Sequence, residues 1–186
     1  MSARQSPLDQ QTPSNAWRVA LFIFLVAANV WLGASTTRAL IANELLRTDT
    51  ETLSIGINDE LAPEAQREAY RLLSMTSVVV LASYAVALAA SVVFLFTSPF
   101  RMKEHGWLLM SAILFYVFVP VEVFTLYLDG KMISLEFFTT EGLEQFHELF
   151  LARVGALAGA PTVAALCYFT IIGLAVFQPF RKRRPA

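Results

Sequence analysis

The chain of 186 residues has little of what metal and redox chemistry needs. It contains one cysteine, Cys167, and two histidines, His105 and His147. A single cysteine excludes an internal disulfide, a redox-active cysteine pair and a cysteine-based zinc or iron–sulfur site within one chain. We therefore expect no metal and no cofactor held by this chain alone.

Charged side chains are also scarce. They make up 16% of the residues, while 56% are hydrophobic and the mean hydropathy is +0.55. Soluble domains contain roughly 45–50% apolar and about 25% charged residues. The formal net charge of −1 gives no general attraction to nucleic acid. The composition therefore predicts a membrane protein with no nucleic-acid partner.

Long apolar segments indicate where the chain crosses the membrane. A helix needs about 20 apolar residues to span the hydrocarbon core, and its backbone groups are then satisfied internally. Four segments qualify: residues 19–41, 72–97, 107–128 and 153–177. They predict an all-α integral membrane protein with a four-helix domain over residues 17–180. Residues 1–16 are expected to be a disordered cytoplasmic segment, and residues 181–186 a basic cytoplasmic tail.

The distribution of basic residues predicts the orientation. Eight basic residues lie in the two terminal segments and in the connection between the second and third helices. They are Arg4, Arg18, Arg101, Lys103, Arg181, Lys182, Arg183 and Arg184. The two other connections hold fewer basic residues and most of the acidic ones. Because Lys and Arg favour the cytoplasmic side, both termini are expected in the cytoplasm of a bacterial inner membrane. The acidic connections would then face outward.

A repeated exit sequence indicates an internal duplication. The motif PFR follows the second and the fourth segment, and its prolines, Pro99 and Pro179, are 80 positions apart. The same offset aligns Tyr70 with Phe150 and the acidic approaches EAQREAY and EQFHELF. We expect two duplicated helical hairpins, although chance remains an alternative because such exit motifs are common.

Small residues at four-residue spacing predict close helix packing. The second segment carries Ser83, Ala87 and Ser91, and the fourth carries Gly155 and Gly159. We therefore expect the second and fourth helices to meet at the centre. The more aromatic first and third helices would face lipid or a partner.

Polar residues within the apolar segments are the candidate site. Glu122 is the most conspicuous, because an acid in hydrocarbon is costly and functional by default. Arg38 and Arg153 are expected near the same depth, and Asn29 lies nearer the middle of the first helix. The cluster is interpreted as a structural ion pair or triad. The alternative is a site for an ion, a proton, a quinone or a lipid headgroup.

The sequence contains neither an HExxH motif nor a GxSG segment with a matching histidine, so no enzyme activity is expected. His147 with Glu144 and Glu148 is interpreted as a solvated acidic helix face in preference to a weak metal site. The leading hypothesis is a non-catalytic accessory subunit of a larger energy-transducing or transport complex. It would contact other membrane subunits, lipids or quinone, and a basic soluble protein at its acidic face.

Two other functions stay open. The first is a small homo-oligomeric transporter or channel that uses Glu122, Arg38, Arg153 and Asn29. The second is an assembly factor or receptor-like protein that acts transiently.

Overall fold

A computed structural model describes residues 15–48, 55–58, 60–100, 105–138, 143–155 and 160–179. The helices and strands in these ranges are α1 (Ala16–Leu45), β1 (Leu46–Thr48), β2 (Ile55–Ile57), α2 (Pro63–Thr97), α3 (Gly106–Val117), α4 (Val119–Phe138), α5 (Leu143–Gly155) and α6 (Ala160–Phe177). The predicted disordered segment, residues 1–16, lies outside these ranges except for residues 15 and 16. The predicted basic tail, residues 181–186, lies entirely outside them.

Three helical stretches are long and apolar enough to cross a membrane. They are α1, α2 and the consecutive pair α3–α4 over residues 106–136. They correspond to the first three predicted segments. The fourth predicted segment, 153–177, begins in α5 and continues as the shorter apolar helix α6 beyond residues 156–159, which the structure does not describe.

The second helix is longer than a membrane requires. Its 35 residues make a rod of about 52 Å, against a hydrocarbon core of about 30 Å. It begins with Pro63 followed by Glu64, because proline fits a first turn and an acid is favourable near the positive end of the helix. The helix is therefore longer than the hydrocarbon core of a bilayer is thick.

A small antiparallel hairpin joins α1 to α2, which the sequence analysis did not predict. Leu46 pairs with Ile57, and Arg47 pairs with Gly56. The N–H of Asn58 donates to the carbonyl of Leu45 over 2.9 Å, which connects the hairpin to the end of α1. We call this the hairpin end of the bundle. The opposite end, where α1 begins and α2 finishes, is the basic end.

Helix pairing differs from the prediction. In the described residues α2 packs most extensively against α1 and also against α4, while α6 packs against α3. The rings of Tyr84 and Tyr168 fill the region between α2 and α6. In the described residues, the second and fourth apolar helices therefore meet in the central cluster, where Tyr84 and Tyr168 lie beside the fully buried Ala164.

The residues predicted to pack closely are buried on α2 but not at Gly155. Ser83, Ala87 and Ser91 are all buried on α2. Gly155 is exposed, and an added Cβ would meet no atom within 4 Å, so this glycine supports no close helix approach. Gly159 lies outside the described residues.

Some aromatic residues of the first and third segments lie inside the bundle, and others are exposed. Phe24 and Phe115 pack against each other inside the bundle, with ring centroids 5.7 Å apart. Phe22, Phe124 and Tyr127 are exposed. The first and third helices thus contribute aromatic rings to the interior as well as to the outer surface.

The bundle has two hydrophobic clusters. The hairpin-end cluster contains Leu45, Tyr70, Leu73, Met132, Phe146 and Phe150. The central cluster contains Trp31, Val80, Tyr84, Ala164 and Tyr168. Since α2 contributes to both clusters, it connects the hairpin end to the middle of the bundle.

The ends of α2 and α6 follow the 80-residue offset found in the sequence. The last residue of α2 is Thr97 and that of α6 is Phe177. Tyr70 and its counterpart Phe150 are each 1% exposed, and their ring centroids are 6.0 Å apart. Equivalent positions of the two halves therefore meet in the hairpin-end cluster.

Candidate functional site

A buried aspartate binds two arginines from other helices. Asp129 of α4 is 1% exposed. Its Oδ2 accepts a hydrogen bond from Nη1 of Arg38 in α1, and its Oδ1 accepts one from Nε of Arg153 in α5. Arg38 also donates to the hydroxyl of Ser77 in α2, over 3.3 Å. We call Arg38, Asp129 and Arg153 the arginine–aspartate cluster, and with Ser77 it joins four helices.

Glu122 lies near this cluster without joining it directly. It occupies the first turn of α4 and is 8% exposed. It interacts electrostatically with Arg38 and Asp129, but within the described residues its carboxylate makes no hydrogen bond or ion pair. Two guanidinium groups and one carboxylate leave an excess positive charge, which an ionised Glu122 would balance.

The structure brings three of the four predicted polar residues into one region. Arg38 and Arg153 share Asp129, and Glu122 is an electrostatic neighbour of both Arg38 and Asp129. Asn29 lies elsewhere. Its side chain is exposed on α1 and donates to the carbonyl of Leu25 over 2.8 Å.

The sequence analysis missed Asp129. The predicted third span ended at Leu128, so this acid was counted with the outer connection. A helical signal for it was nevertheless present. Glu122, Thr125, Asp129 and Met132 recur at spacings of three or four residues, the periodicity of one helix face, and all four are buried.

A second polar group lies in the central cluster. Trp31 has ring centroids 5.8 Å from Tyr84 and 5.0 Å from Tyr168. Its Nε1 and the two tyrosine hydroxyls are buried and make no hydrogen bond of good geometry within the described residues. Both tyrosines interact electrostatically with Glu122, and their two hydroxyls are close enough for a weak hydrogen bond to each other. We call Trp31, Tyr84 and Tyr168 the aromatic–hydroxyl group.

Polar contacts continue from this group toward the basic end. Tyr84 has Tyr116 of α3 as a further electrostatic neighbour. The hydroxyl of Tyr116 lies 2.9 Å from that of Ser91 in α2. Buried and half-buried hydroxyls therefore extend beyond Glu122 toward the basic end.

The hairpin-end surface carries mixed charges. A depression of about 370 Å³ is lined by Glu64, Arg67, Glu68, Arg71 and Glu136. Arg47 pairs with Glu60 at 2.5 Å. The predicted acidic face is therefore interrupted by arginines.

The structure gives no support for a metal site at His147. In the described ranges no group of three or more His, Cys, Asp or Glu side chains is placed to hold a metal ion. The His147 ring instead packs against Tyr70, with ring centroids 5.3 Å apart.

In comparisons with known protein families, with curated proteins and with solved structures, this chain matched none. The features of the molecule that bear on its function are the arginine–aspartate cluster, the aromatic–hydroxyl group and the outer faces of the helices.

Proposed function

We propose that the chain is a non-catalytic accessory subunit of a larger integral-membrane complex of the bacterial inner membrane, one that transduces energy or transports solutes. It would stabilise neighbouring subunits and hold lipid or quinone at the contact. The observation that carries this proposal is the outward position of Asn29. This polar side chain is exposed at the middle of an apolar helix, where lipid offers it no hydrogen-bond partner.

The surroundings of Asn29 support a helix partner. Val26 and Val30 are exposed on the same side of α1. Gly33, one turn further, is exposed and has no atom within 4 Å of an added Cβ. Small residues allow a second helix to approach closely, and an interhelical hydrogen bond from Asn29 would add about 0.6 and at most about 1.7 kcal/mol. We call Val26, Asn29, Val30 and Gly33 the α1 outer face.

The arginine–aspartate cluster fits a structural role in this subunit. Both oxygens of Asp129 are occupied by arginines of the same chain. Such a pairing holds α1, α4 and α5 in a fixed arrangement, which a bracing subunit requires. The opposing possibility is that these charges line a pathway.

The number of membrane spans and the side on which the termini lie are part of the same proposal. We infer four membrane spans, with α5 and α6 completing the fourth, and with both termini in the cytoplasm. The basic residues at the basic end support this orientation. The 80-residue offset between the ends of α2 and α6 supports a duplicated pair of hairpins.

The proposal is tested by isolating the tagged native protein in a gentle detergent and measuring the mass of the intact complex. Stoichiometric recovery with larger membrane subunits is the expected result. Recovery as the chain alone, or as a small homo-oligomer, contradicts it. A photo-crosslinking residue at Val26 should label a partner subunit. The matched control is Leu166, which is 63% exposed on α6 and should give little labelling.

Asn29→Leu tests whether the Asn29 side chain itself contacts a partner helix, as opposed to the partner binding only the apolar surface around it. It should lower recovery of the partner about threefold, as expected from the loss of about 0.6 kcal/mol, while leaving the isolated chain folded. Unchanged recovery would remove Asn29 as the basis of the proposal.

The second candidate is a homo-oligomeric transporter or channel. The buried carboxylate of Glu122, which has no ion pair among the described residues, favours it, because buried acids mark ion and proton pathways. Solute uptake by liposomes that contain this chain alone would support this candidate against an accessory role.

A further inference from the structure

We propose that the interior of the bundle carries protons between the hairpin end and the basic end, with Glu122 as the proton carrier and buried hydroxyls as the relay. This goes beyond the accessory role. It holds whether the chain works alone or within a complex, because every group in the path belongs to this chain.

The path begins at the arginine–aspartate cluster. The side chain of Arg153 is 18% exposed and that of Asp129 is 1% exposed, so the cluster connects the surface to the interior. Glu122 is seven residues, or two helical turns, before Asp129 on the same face of α4. Its carboxylate is nearly buried but forms no ion pair within the described residues, which leaves it free to bind a proton.

Four side chains interact electrostatically with Glu122. Arg38 from α1 and Asp129 from α4 are its charged neighbours. Tyr84 from α2 and Tyr168 from α6 are its neutral neighbours. Glu122 is therefore the carboxylate of this path that can bind a proton and pass it to a neighbouring hydroxyl.

The aromatic–hydroxyl group forms the middle of the path. Buried polar groups in proteins are normally hydrogen-bonded to protein or to ordered water. Here Trp31 Nε1 and the hydroxyls of Tyr84 and Tyr168 are all without a well-formed bond in the described structure. A bound water needs two to four polar partners, and these groups together with Glu122 provide them.

The remaining hydroxyls lead to the basic end. Tyr116 is an electrostatic neighbour of Tyr84 and lies 2.9 Å from the hydroxyl of Ser91. Ser91 is six residues before Thr97, the last residue of α2, a distance of about 9 Å along the helix. The hydroxyls therefore continue to within two turns of the end of α2.

The transfer is balanced at every step. A proton from water binds a Glu122 oxygen, and an O–H bond forms. That bond breaks as the proton passes to the oxygen of the next hydroxyl or water, which releases its own proton to its neighbour. Each hydroxyl ends as it began, one proton leaves at the far end, and no oxidant or reductant is consumed.

The test uses the purified full chain in liposomes that contain a pH-sensitive dye, with a potassium gradient and valinomycin to impose a membrane potential. We expect proton flux above that of protein-free liposomes. Glu122→Gln and Tyr84→Phe should each lower the protein-dependent flux about 100-fold, the lower end of what a positioned proton-transfer group contributes. Tyr127→Phe is the control, since this tyrosine is 58% exposed on α4, and it should retain the flux.

Thermal unfolding in detergent shows whether each variant is folded. If Glu122→Gln does not fold, the proton flux of Tyr84→Phe is the deciding measurement. This substitution removes one oxygen and keeps the ring that packs against Trp31. Flux equal to that of protein-free liposomes would overturn the proposal. Flux that none of the three substitutions changes would identify a non-specific leak and overturn it as well.

Discussion

Arg38 and Asp129 are 91 positions apart in the sequence and form a hydrogen-bonded ion pair inside the bundle. Arg38 belongs to α1, which packs mainly on α2, whereas Asp129 belongs to α4. The pair therefore joins the first hairpin, α1–α2, to the second half of the chain. Arg153 extends this junction to α5.

Asp129→Leu should be strongly destabilising, because it leaves two largely buried guanidinium groups without their shared carboxylate. Removing one partner of a buried ion pair costs about 3–5 kcal/mol. Thermal or denaturant unfolding of the purified protein in detergent measures the loss. The control is Glu60→Gln, which breaks the pair of Glu60 with Arg47; both side chains are mostly exposed, so the effect should stay below about 1 kcal/mol. Equal effects would contradict a structural role for Asp129.

Arg38→Leu should be tolerated better than Asp129→Leu. The carboxylate of Asp129 keeps its hydrogen bond from Arg153, so fewer charges are left unpaired. Combining Arg38→Leu with Asp129→Leu should cost less than the sum of the two single substitutions, since contacting residues couple by about 0.5–3 kcal/mol. A double-mutant cycle in detergent measures this, and strict additivity would show that the pair does not interact.

Ala87→Leu and Gly155→Ala should have very different effects. Ala87 is 2% exposed on α2, so a larger side chain overpacks the interior at a cost of about 1–3 kcal/mol. Gly155 has open space around an added Cβ, and its substitution should change the unfolding free energy by less than about 0.5 kcal/mol. A destabilising Gly155→Ala would indicate a close helix contact at that position.

Phe150→Ala should destabilise the hairpin-end cluster. This ring is 1% exposed, and removing a buried phenylalanine side chain costs about 3–5 kcal/mol. Phe96→Ala is the matched control, because Phe96 is 88% exposed near the end of α2. Similar melting temperatures for the two variants would show that the hairpin-end cluster contributes little to stability.

The single native cysteine makes the membrane orientation testable. In a Cys167→Ser background, Asn15→Cys should react with a membrane-impermeant maleimide only from the cytoplasmic side. Ala62→Cys should react only from the opposite side. Both positions are exposed in the structure. Labelling of both from one side would contradict the proposed topology.

Hydropathy predicted the helical fold well, because the need to satisfy backbone groups in hydrocarbon leaves few alternatives to helices. The bounds of α1 and α2 were predicted closely at the basic end. The strands β1 and β2 were missed, since they have only three residues each and depend on pairing with each other. Local sequence carries little signal for such short strands.

The choice of helix partners was predicted less well. Small-residue patterns occur on many membrane helices and do not specify a neighbour. Here the described part of the central cluster contains the large rings of Tyr84 and Tyr168 together with Ala164. The site was predicted in part, as Arg38, Arg153 and Glu122 were identified, but Asp129 was assigned to a connection because hydropathy ended the third span at Leu128.

The continuous length of α2 has a mechanical consequence. This helix supplies Tyr70 to the hairpin-end cluster and Tyr84 to the central one, and it has no break between them. A rod of about 52 Å that tilts by about 10° displaces one tip by about 9 Å relative to the other. Because the helix is continuous, a tilt of α2 at its Pro63 end would also displace Tyr84 and Ser91 in the middle of the bundle.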